Sequence, residues 1–141
     1  MKTIVEIKVR GYHIDHFNHV NNARYLEFLE EGRWAYSEKN NLIHLFHKNG
    51  ISHVTVNINI NYRKSAFVGQ VLRIETAVVR KGRKSVTMQQ KILLNDTDTL
   101  IADAEVTNVF LNVNTGKVIP VNKELINLWP VLAEAKNQMS K

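Results

Sequence analysis

The stretch that decides the fold is residues 9–33, which read VRGYHIDHFNHVNNARYLEFLEEGR. Its first half is polar and rich in turn residues, and from about Asn21 the pattern becomes helical. Good helix formers such as Ala, Arg, Leu and Glu dominate the second half. Spacings of three and four residues place one set of side chains on the same side of a helix: Tyr25, Leu26, Leu29, Arg33 and Tyr36. The pattern predicts a helix over residues 21–38, preceded by a polar turn over 11–18.

After Gly50 the period of the sequence changes from 3.6 to two. The alternating apolar positions are Val54, Val56, Ile58, Ile60 and Tyr62. This alternation predicts a strand with one apolar and one polar face. Further strands are predicted over residues 3–10, 71–80, 85–94 and 100–113. Short helices are predicted over residues 41–48 and after Asn122, a plausible N-cap, and the second of them is broken or restarted at Pro130.

The order of these elements predicts the fold class. Four consecutive strands with short links make an antiparallel sheet, and one long helix is left to cover its apolar face. We therefore expect an α+β two-layer fold that forms one domain over residues 1–141. A Rossmann fold is excluded, because strands and helices do not alternate and no glycine-rich turn joins a strand to a helix.

The composition is that of a globular protein without disulfides. The 141 residues are 44% hydrophobic and 23% charged, and none is cysteine, which excludes disulfides, cysteine-bound zinc and thiol catalysis. No apolar run exceeds three residues, so we expect neither a membrane span nor a secretory signal. The cytoplasm is the compartment that this composition indicates.

Positive charge is in excess and is concentrated in two places. The net charge is +6, and the sequence Arg80-Lys81-Gly82-Arg83-Lys84 holds four cations, while Arg63-Lys64 adds two. Such an excess favours an anionic partner: a nucleic acid, an acidic membrane surface or a phosphorylated small molecule. A solvated hairpin tip that serves solubility explains the first cluster equally well.

Three histidines and one acid lie within seven residues, at His13, Asp15, His16 and His19. These side chains are metal ligands, but no second cluster with ligand spacing follows, so we do not expect a metal. A carboxylate just before a helix suits acid–base or nucleophilic chemistry, because the helix N-terminus offers unpaired N–H groups to an oxyanion. The alternative is that Asp15, Asn18 and Asn21 only cap the helix.

The string over residues 9–33 resembles the motif of hotdog-fold thioesterases. Within that group it is similar to the 4-hydroxybenzoyl-CoA thioesterase family, most of all to its bacterial long-chain acyl-CoA thioesterase III type. The string VNININYR at residues 56–63 resembles that type too. The resemblance implies a long helix wrapped by an antiparallel sheet, which the periodicity predicts independently.

The resemblance implies roles for residues of the loop and the first helical turn. The catalytic carboxylate of the family carries over onto Asp15. Many relatives have a second acid where this chain has His13, so a single carboxylate remains in the loop. Asn22 stands where some relatives place an assisting histidine, and an amide there can orient water or the carbonyl but cannot take up a proton near neutral pH. His19 is a candidate orienting residue.

Three further positions in the helix match the family pattern, and cations elsewhere in the chain are candidates for binding the substrate. Tyr25 is expected to contact substrate, and Glu30 with Arg33, three residues apart, is expected to form a structural ion pair. Coenzyme A carries phosphates, for which the candidate cations are Arg63, Lys64, Arg80, Lys81, Arg83 and Lys84.

The function that the resemblance implies is hydrolysis of medium- to long-chain fatty acyl-CoA. No cofactor is implied, because coenzyme A is part of the substrate, and a homodimer or homotetramer is expected since family sites form between subunits. Two alternatives remain open: an acyl-CoA or acyl-carrier-protein binder without catalysis, and a nucleic-acid-binding protein. The second lacks a recognised motif, and its basic tip has no interleaved aromatic residues for base stacking.

Gly32 lies in the middle of the predicted helix, where glycine costs about 0.5–1 kcal/mol relative to alanine. Two reasons for its presence are open. The missing side chain either leaves room for an acyl chain beside the helix, or allows close packing of the helix against the sheet or another subunit.

Overall fold

The long helix is α1 (Asn22–Lys39), and it follows the first strand after a loop that contains one 3₁₀ turn (Gly11–His13). A computed structural model describes residues 1–138. The strands are β1 (Thr3–Lys8), β2 (Ile51–Tyr62), β3 (Val71–Lys81), β4 (Ser85–Leu94), β5 (Leu100–Asn112), β6 (Val118–Ile119) and β7 (Lys136–Asn137). The other helices are α2 (Leu42–Lys48), α3 (Lys123–Leu128) and a second 3₁₀ turn (Pro130–Ala133).

The strands form one sheet, in which the long strands follow the order β1-β3-β4-β5-β2. All pairs of long strands are antiparallel; β6 adds to β5, and β7 runs parallel to β3. The predicted α+β fold of a long helix on an antiparallel sheet is confirmed. The short strands β6 and β7 and the 3₁₀ turn at Gly11–His13 were not predicted, because elements of two or three residues leave no periodic signal. The 3₁₀ turn that begins at Pro130 agrees with the predicted break or restart of the C-terminal helix at that residue. Within residues 1–138, no helix is long and apolar enough to cross a membrane.

Helix α1 packs on the sheet with a face slightly rotated from the predicted one. Its buried residues are Tyr25, Phe28, Leu29, Gly32 and Tyr36. Leu26 was predicted on this face but is 39% exposed. Phe28 takes the inner position, because positions three, four, seven and eleven after Tyr25 share one stripe of a helix.

Gly32 is the point of closest approach between α1 and the sheet. A Cβ atom built there would lie 2.6 Å from Ile74 Cγ2 and 2.8 Å from both Thr76 Oγ1 and Gln90 Nε2. Close packing of the helix on the sheet therefore explains the glycine. The idea that it leaves room for an acyl chain is wrong, because the space is filled by side chains of β3 and β4.

A β-bulge corrects the prediction for β2. The register against β5 shifts between Thr55 and Asn57, so that Val56 is the extra residue. From Ile58 onward the apolar side chains face the helices as predicted. Before the bulge the faces are exchanged: Thr55 hydrogen-bonds to the buried Asn108, while Val54 and Val56 are 42% and 55% exposed.

The buried residues fall into two hydrophobic clusters with a polar layer between them. One cluster lies under the first half of α1 and includes Phe28 and Leu29; the other lies under its end and includes Tyr36 and Trp129. The layer is centred on Gln90, which is fully buried on β4. Gln90 Nε2 donates to the Leu29 carbonyl and to Thr76 Oγ1, each at 2.8 Å, so the amide is satisfied inside the core.

Candidate active site

The polar loop between β1 and α1 is fastened to the segment that joins β2 to β3. The Val9 amide donates to the Gln70 carbonyl at 2.9 Å, and the Val20 amide donates to the Ala66 carbonyl at 3.0 Å. Val9, Val20 and Ala66 are all buried. Residues 9–20 therefore have a defined conformation although they contain no long element, and their polar side chains meet residues 62–66.

Asp15 stands half-buried in this loop, and its two carboxylate oxygens have different surroundings. Oδ1 accepts hydrogen bonds from the amides of Phe17 at 2.9 Å and His19 at 3.4 Å. Oδ2 accepts none within residues 1–138. Asn18 completes the turn in the left-handed region with φ of 67°, a conformation that Asn tolerates. The loop thus fixes one oxygen of Asp15 and leaves the other available for chemistry.

The N-terminus of α1 lies beside Asp15. Asn21 is the N-cap, and its side chain accepts from the Ala23 amide at 3.0 Å. The Arg24 amide donates to the Asn21 carbonyl, whereas the Asn22 amide has no acceptor within residues 1–138. Tyr62 Oη donates to the Asn22 carbonyl at 3.1 Å. An N–H that also carries the positive end of the helix dipole can stabilise an oxyanion.

These residues line a single pocket of about 320 Å³. Its lining comprises Asp15, His19, Val20, Asn22, Tyr25, Tyr62, Arg63, Lys64 and Ser65. The structure thus brings together six of the predicted site residues: Asp15, His19, Asn22, Tyr25, Arg63 and Lys64. Tyr62 and Ser65 were not predicted as site residues. Tyr62 carried a signal, because it ends the apolar alternation of β2 directly before the basic pair.

Tyr25 connects α1 to the segment after β2 at the wall of this pocket. The residue is buried, its ring lies 5.5 Å from that of Tyr62, and its hydroxyl oxygen accepts from the Ala66 amide at 3.2 Å. Desolvation raises the pKa of Tyr25, so the hydroxyl stays protonated near neutral pH. The side chain holds the segment after β2 against α1 and presents a neutral wall to the pocket.

The three loop histidines diverge. His13 Nδ1 accepts from the Arg10 amide at 2.9 Å, and its ring packs edge-on against Phe28. His16 is exposed beside Phe17, whereas His19 Nδ1 lies 3.4 Å from Ser65 Oγ. Desolvation and the nearby Arg24 lower the pKa of His13, which fits a neutral structural ring. Among residues 1–138, no three His, Cys, Asp or Glu side chains are grouped to hold a metal ion.

The two basic clusters are separated within the chain. Arg63 lines the pocket and is held by Asp103, with Nε donating to Oδ2 at 2.9 Å. Hydrogen bonds from Arg63 lower the pKa of Asp103, so this carboxylate is ionised at neutral pH. The tip of the β3–β4 hairpin does not line this pocket: Arg80 lies nine residues after Val71, the first residue of β3, which is about 30 Å along the strand.

Two of the four cations in that tip have structural partners. Arg80 forms a two-bond ion pair with Glu105, with one bond at 3.0 Å. Lys81 Nζ donates to the carbonyls of Leu132 and Ala135 and thereby fastens the C-terminal segment. These two side chains are not available for phosphates in the way the sequence suggested. Arg83 and Lys84 remain exposed.

The predicted ion pair between Glu30 and Arg33 is not formed. Arg33 turns inward, and its guanidinium donates to Gln90 Oε1 at 3.0 Å. It lines a second and larger cleft of about 670 Å³, bounded by the end of α1, by α2 and by the first half of β2. This cleft is mostly apolar, and it is lined by the second half of α1, whereas the pocket around Asp15 is lined by the first turn of this helix.

Comparisons with known proteins agree with this geometry. The sequence profile of the thioesterase-like superfamily matches residues 9–129. The chain belongs to this superfamily. It is 42% identical over 120 residues to the long-chain acyl-CoA thioesterase FadM of Escherichia coli (strain K12), which covers 85% of this chain and 91% of that protein. The predicted membership among thioesterases is confirmed.

Solved structures of thioesterases are similar to this chain over most of its length. The probable thioesterase YbaW from Escherichia coli superposes with a TM-score of 0.84 at 41% identity, covering 89% of this chain and 94% of that one. A 1,4-dihydroxy-2-naphthoyl-CoA thioesterase from Synechocystis superposes with a TM-score of 0.80 at 15% identity, over 94% of this chain and 98% of that one. The hotdog fold predicted for this chain is confirmed.

Proposed function

We propose that this superfamily member hydrolyses the thioester of medium- to long-chain fatty acyl-CoA to free fatty acid and CoA. The observation that carries the proposal is the state of Asp15, which has one oxygen held by loop amides and the other open beside an unpaired helix N–H. The relative FadM is named for this activity on long-chain substrates. We infer the same substrate class for this chain.

In the proposed reaction the thioester carbonyl oxygen accepts a hydrogen bond from the Asn22 amide. Asp15 Oδ2 then either removes a proton from the attacking water or attacks the carbonyl carbon itself to give an anhydride that water opens. In the first route Asp15 returns that proton to the sulfur as the C–S bond breaks, so CoA leaves as the thiol. In the second route CoA leaves as the thiolate when the anhydride forms and takes a proton from solvent, and the water that opens the anhydride releases the fatty acid and regenerates the Asp15 carboxylate. The Asn22 amide stabilises the charge that develops on the oxygen, and the Asn22 side chain orients the water.

Phosphate groups of CoA are assigned to the cations that line the pocket. Lys64 is exposed, makes no ion pair within residues 1–138, and follows Arg63 directly. Arg63 is fixed by Asp103 and presents its remaining donors outward. Arg83 and Lys84 are a second candidate for the nucleotide end, through the subunit contact proposed next. His19 is assigned to orienting the loop through Ser65.

A homodimer is the assembly that we propose, and a homotetramer can be built from two such dimers. Strand β2 is an edge of the sheet, twelve residues long, and exposes Val54 and Val56. No strand covers this edge in residues 1–138, and an open strand of this length with exposed apolar side chains is a template for pairing with a second copy. Under a two-fold axis the copies of β2 run antiparallel, so the Tyr62 end of one meets the Ile51 end of the other.

This pairing joins the two concave sites of the protein. Tyr62 borders the pocket of Asp15, and Ile51 borders the 670 Å³ cleft. The catalytic pocket of one protomer would then open into the cleft of the partner subunit. A volume of this size lies within the range of about 300–1,000 Å³ that is usual for small-molecule sites. We assign the acyl chain to this cleft.

We also propose that the enzyme works in the cytoplasm and without a cofactor. No cysteine is present, which suits a reducing compartment. Both proposed routes use only a carboxylate, an amide and water, so the chemistry needs no added group.

The test is thiol release from a panel of acyl-CoA esters from acetyl to palmitoyl. We expect hydrolysis to rise with chain length and to be highest for the medium and long chains. Binding of these esters without thiol release would favour the non-catalytic binder. Salt-dependent binding of random oligonucleotides with no hydrolysis would favour the nucleic-acid alternative.

A further inference from the structure

The first turn of α1 is held by hydrogen bonds to its cap and by one bond from β2. The Asn21 amide donates to the His13 carbonyl at 2.9 Å, and the Asn21 side chain accepts from the Ala23 amide at 3.0 Å. The Asn22 amide has no acceptor within residues 1–138, and the Asn22 carbonyl accepts from Tyr62 Oη at 3.1 Å. Within this part of the chain, Tyr62 is therefore the side chain that holds Asn22 directly.

Tyr62 reaches Asn22 from a fixed position. It is the last residue of β2, and its backbone is paired with β5. Directly after it, the amides of Arg63 and Lys64 both donate to the Ile101 carbonyl, at 2.8 Å and 3.1 Å. The ring of Tyr62 lies 5.5 Å from that of Tyr25, with 58° between the two planes. Because backbone and ring are both held, the hydroxyl has a defined position relative to α1.

The bond between Tyr62 and Asn22 contributes little to folding. Tyr62 is 47% exposed and Asn22 is exposed too, so water can replace the hydroxyl at the Asn22 carbonyl. The same bond restricts the orientation of the residue whose amide is free. A hydrogen-bond donor stabilises an oxyanion best when its direction is fixed before the reaction, because no energy is then spent on reorienting it as charge develops. A contact that folding does not need can therefore change the rate of hydrolysis.

We propose that Tyr62 is a positioning residue, whose phenol holds Asn22 so that the free amide points at the thioester oxygen. The inference rests on the proposed hydrolysis, and it adds to the site a residue that lies outside the loop and helix that carry the chemistry. Tyr62 acts through Asn22 and exchanges no proton with the substrate. Since Tyr62 belongs to the edge strand that we expect to pair with a second copy, this contact also connects that edge to the pocket.

The variant Tyr62→Phe removes the hydroxyl and keeps the ring against Tyr25. We expect kcat for palmitoyl-CoA to fall about tenfold while KM stays within about twofold of wild type, because the amide acts on charge that develops in the transition state. The melting temperature and the mass by light scattering should be those of the wild type. The control is Tyr12→Phe, on a phenol that is 70% exposed and outside the pocket, and it should keep the wild-type kcat.

A second measurement reports on the Asn22 amide itself. Palmitoyl-CoA that carries an isotope label at its thioester carbonyl, bound to Asp15→Asn, gives an infrared band whose frequency falls as the carbonyl oxygen accepts a stronger hydrogen bond. We expect this band to lie at higher frequency in the double variant Asp15→Asn/Tyr62→Phe, because the amide is then less well directed. A purely structural role of Tyr62 would leave the band unchanged.

The two measurements together decide the proposal. A kcat of Tyr62→Phe within about twofold of wild type would overturn it. A fall of kcat with an unchanged carbonyl band, or with a loss of mass, would also overturn it, because the hydroxyl would then act elsewhere than on Asn22. A wild type that binds palmitoyl-CoA without releasing thiol would refute the proposed hydrolysis instead. The carbonyl band needs binding alone, so it would still show whether Tyr62 positions the Asn22 amide.

Discussion

Gly32 shows at the residue scale how one missing side chain permits the contact between helix and sheet. The three atoms around it belong to Ile74 and Thr76, which are β-branched, and to Gln90, whose amide is held by the Leu29 carbonyl. None of these can move aside freely, since the branched side chains are restricted to few rotamers and the amide would lose its bonds.

Gly32→Ala should therefore destabilise the protein although alanine favours helices. The overpacking is worth about 1–3 kcal/mol, against a gain of about 0.5–1 kcal/mol from helix propensity. Denaturant unfolding monitored by circular dichroism measures the change. The control is Gly11→Ala, where an added Cβ meets nothing within 4 Å. An unchanged or raised stability of Gly32→Ala would contradict the close packing.

Lys64 is the residue whose charge is most available to a phosphorylated substrate at the pocket. Lys64→Gln should raise KM for palmitoyl-CoA several-fold with little change in kcat, because a phosphate contact acts equally in the ground and transition states. The effect should shrink with added salt, since exposed charges are screened over about 10 Å at 0.1 M.

The matched comparison is the double variant Arg83→Gln/Lys84→Gln at the hairpin tip. A larger rise of KM in this variant than in Lys64→Gln would assign the CoA phosphates to the tip. Unchanged KM values in both variants at low salt would show that neither cluster binds CoA.

At the scale of elements, the periodic patterns within long segments predicted the helices and strands. The pairing between strands that are distant in sequence could not be predicted from these patterns. Helix α1 and its N-cap are local features, so the position of Asp15 just before the helix followed from residues within a few places of it. The bulge in β2 depends on the register against β5 and could not be predicted from alternation alone. Val54 was therefore predicted inward and lies on the surface.

The charged residues show the same limit. Arg80 pairs with Glu105, 25 positions away, and Lys81 bonds to the carbonyl of Leu132, 51 positions away. Arg33 was predicted to pair with Glu30 on the same helix, but its guanidinium donates to the side chain of Gln90 instead. Spacing along a helix does not reveal this acceptor, because Gln90 lies on a strand. The sequence thus showed where cationic residues are concentrated, but it did not show which residues they bond to.

At the scale of the whole molecule, the account depends on a second copy of the chain. Within residues 1–138 the outer edge of β2 is unpaired and the strand exposes Val54 and Val56, and the cleft beside it is separate from the pocket around Asp15. Pairing of two edges explains both features at once. It follows that assembly and hydrolysis of long chains should be lost together.

The double variant Val54→Lys/Val56→Lys places charge on this edge and should give a monomer by light scattering coupled to gel filtration. Its hydrolysis of palmitoyl-CoA should fall in proportion to the loss of dimer. Val118→Lys, on the 45% exposed Val118 of β6, is the control and should keep the mass and activity of the wild type. A double variant that stays dimeric would place the interface elsewhere.

The most direct test of the central claim is the turnover of palmitoyl-CoA by Asp15→Asn. Asparagine keeps the oxygen that accepts from the Phe17 and His19 amides and replaces the open oxygen by an NH₂ group, so the loop should stay intact. We expect kcat to fall about a hundredfold or more, the usual scale for loss of a general base, with unchanged melting temperature and circular dichroism. Asp96→Asn, at an exposed turn, should retain wild-type kcat. An Asp15→Asn enzyme within about threefold of wild type would contradict the account, because Asp15 would then serve the loop alone.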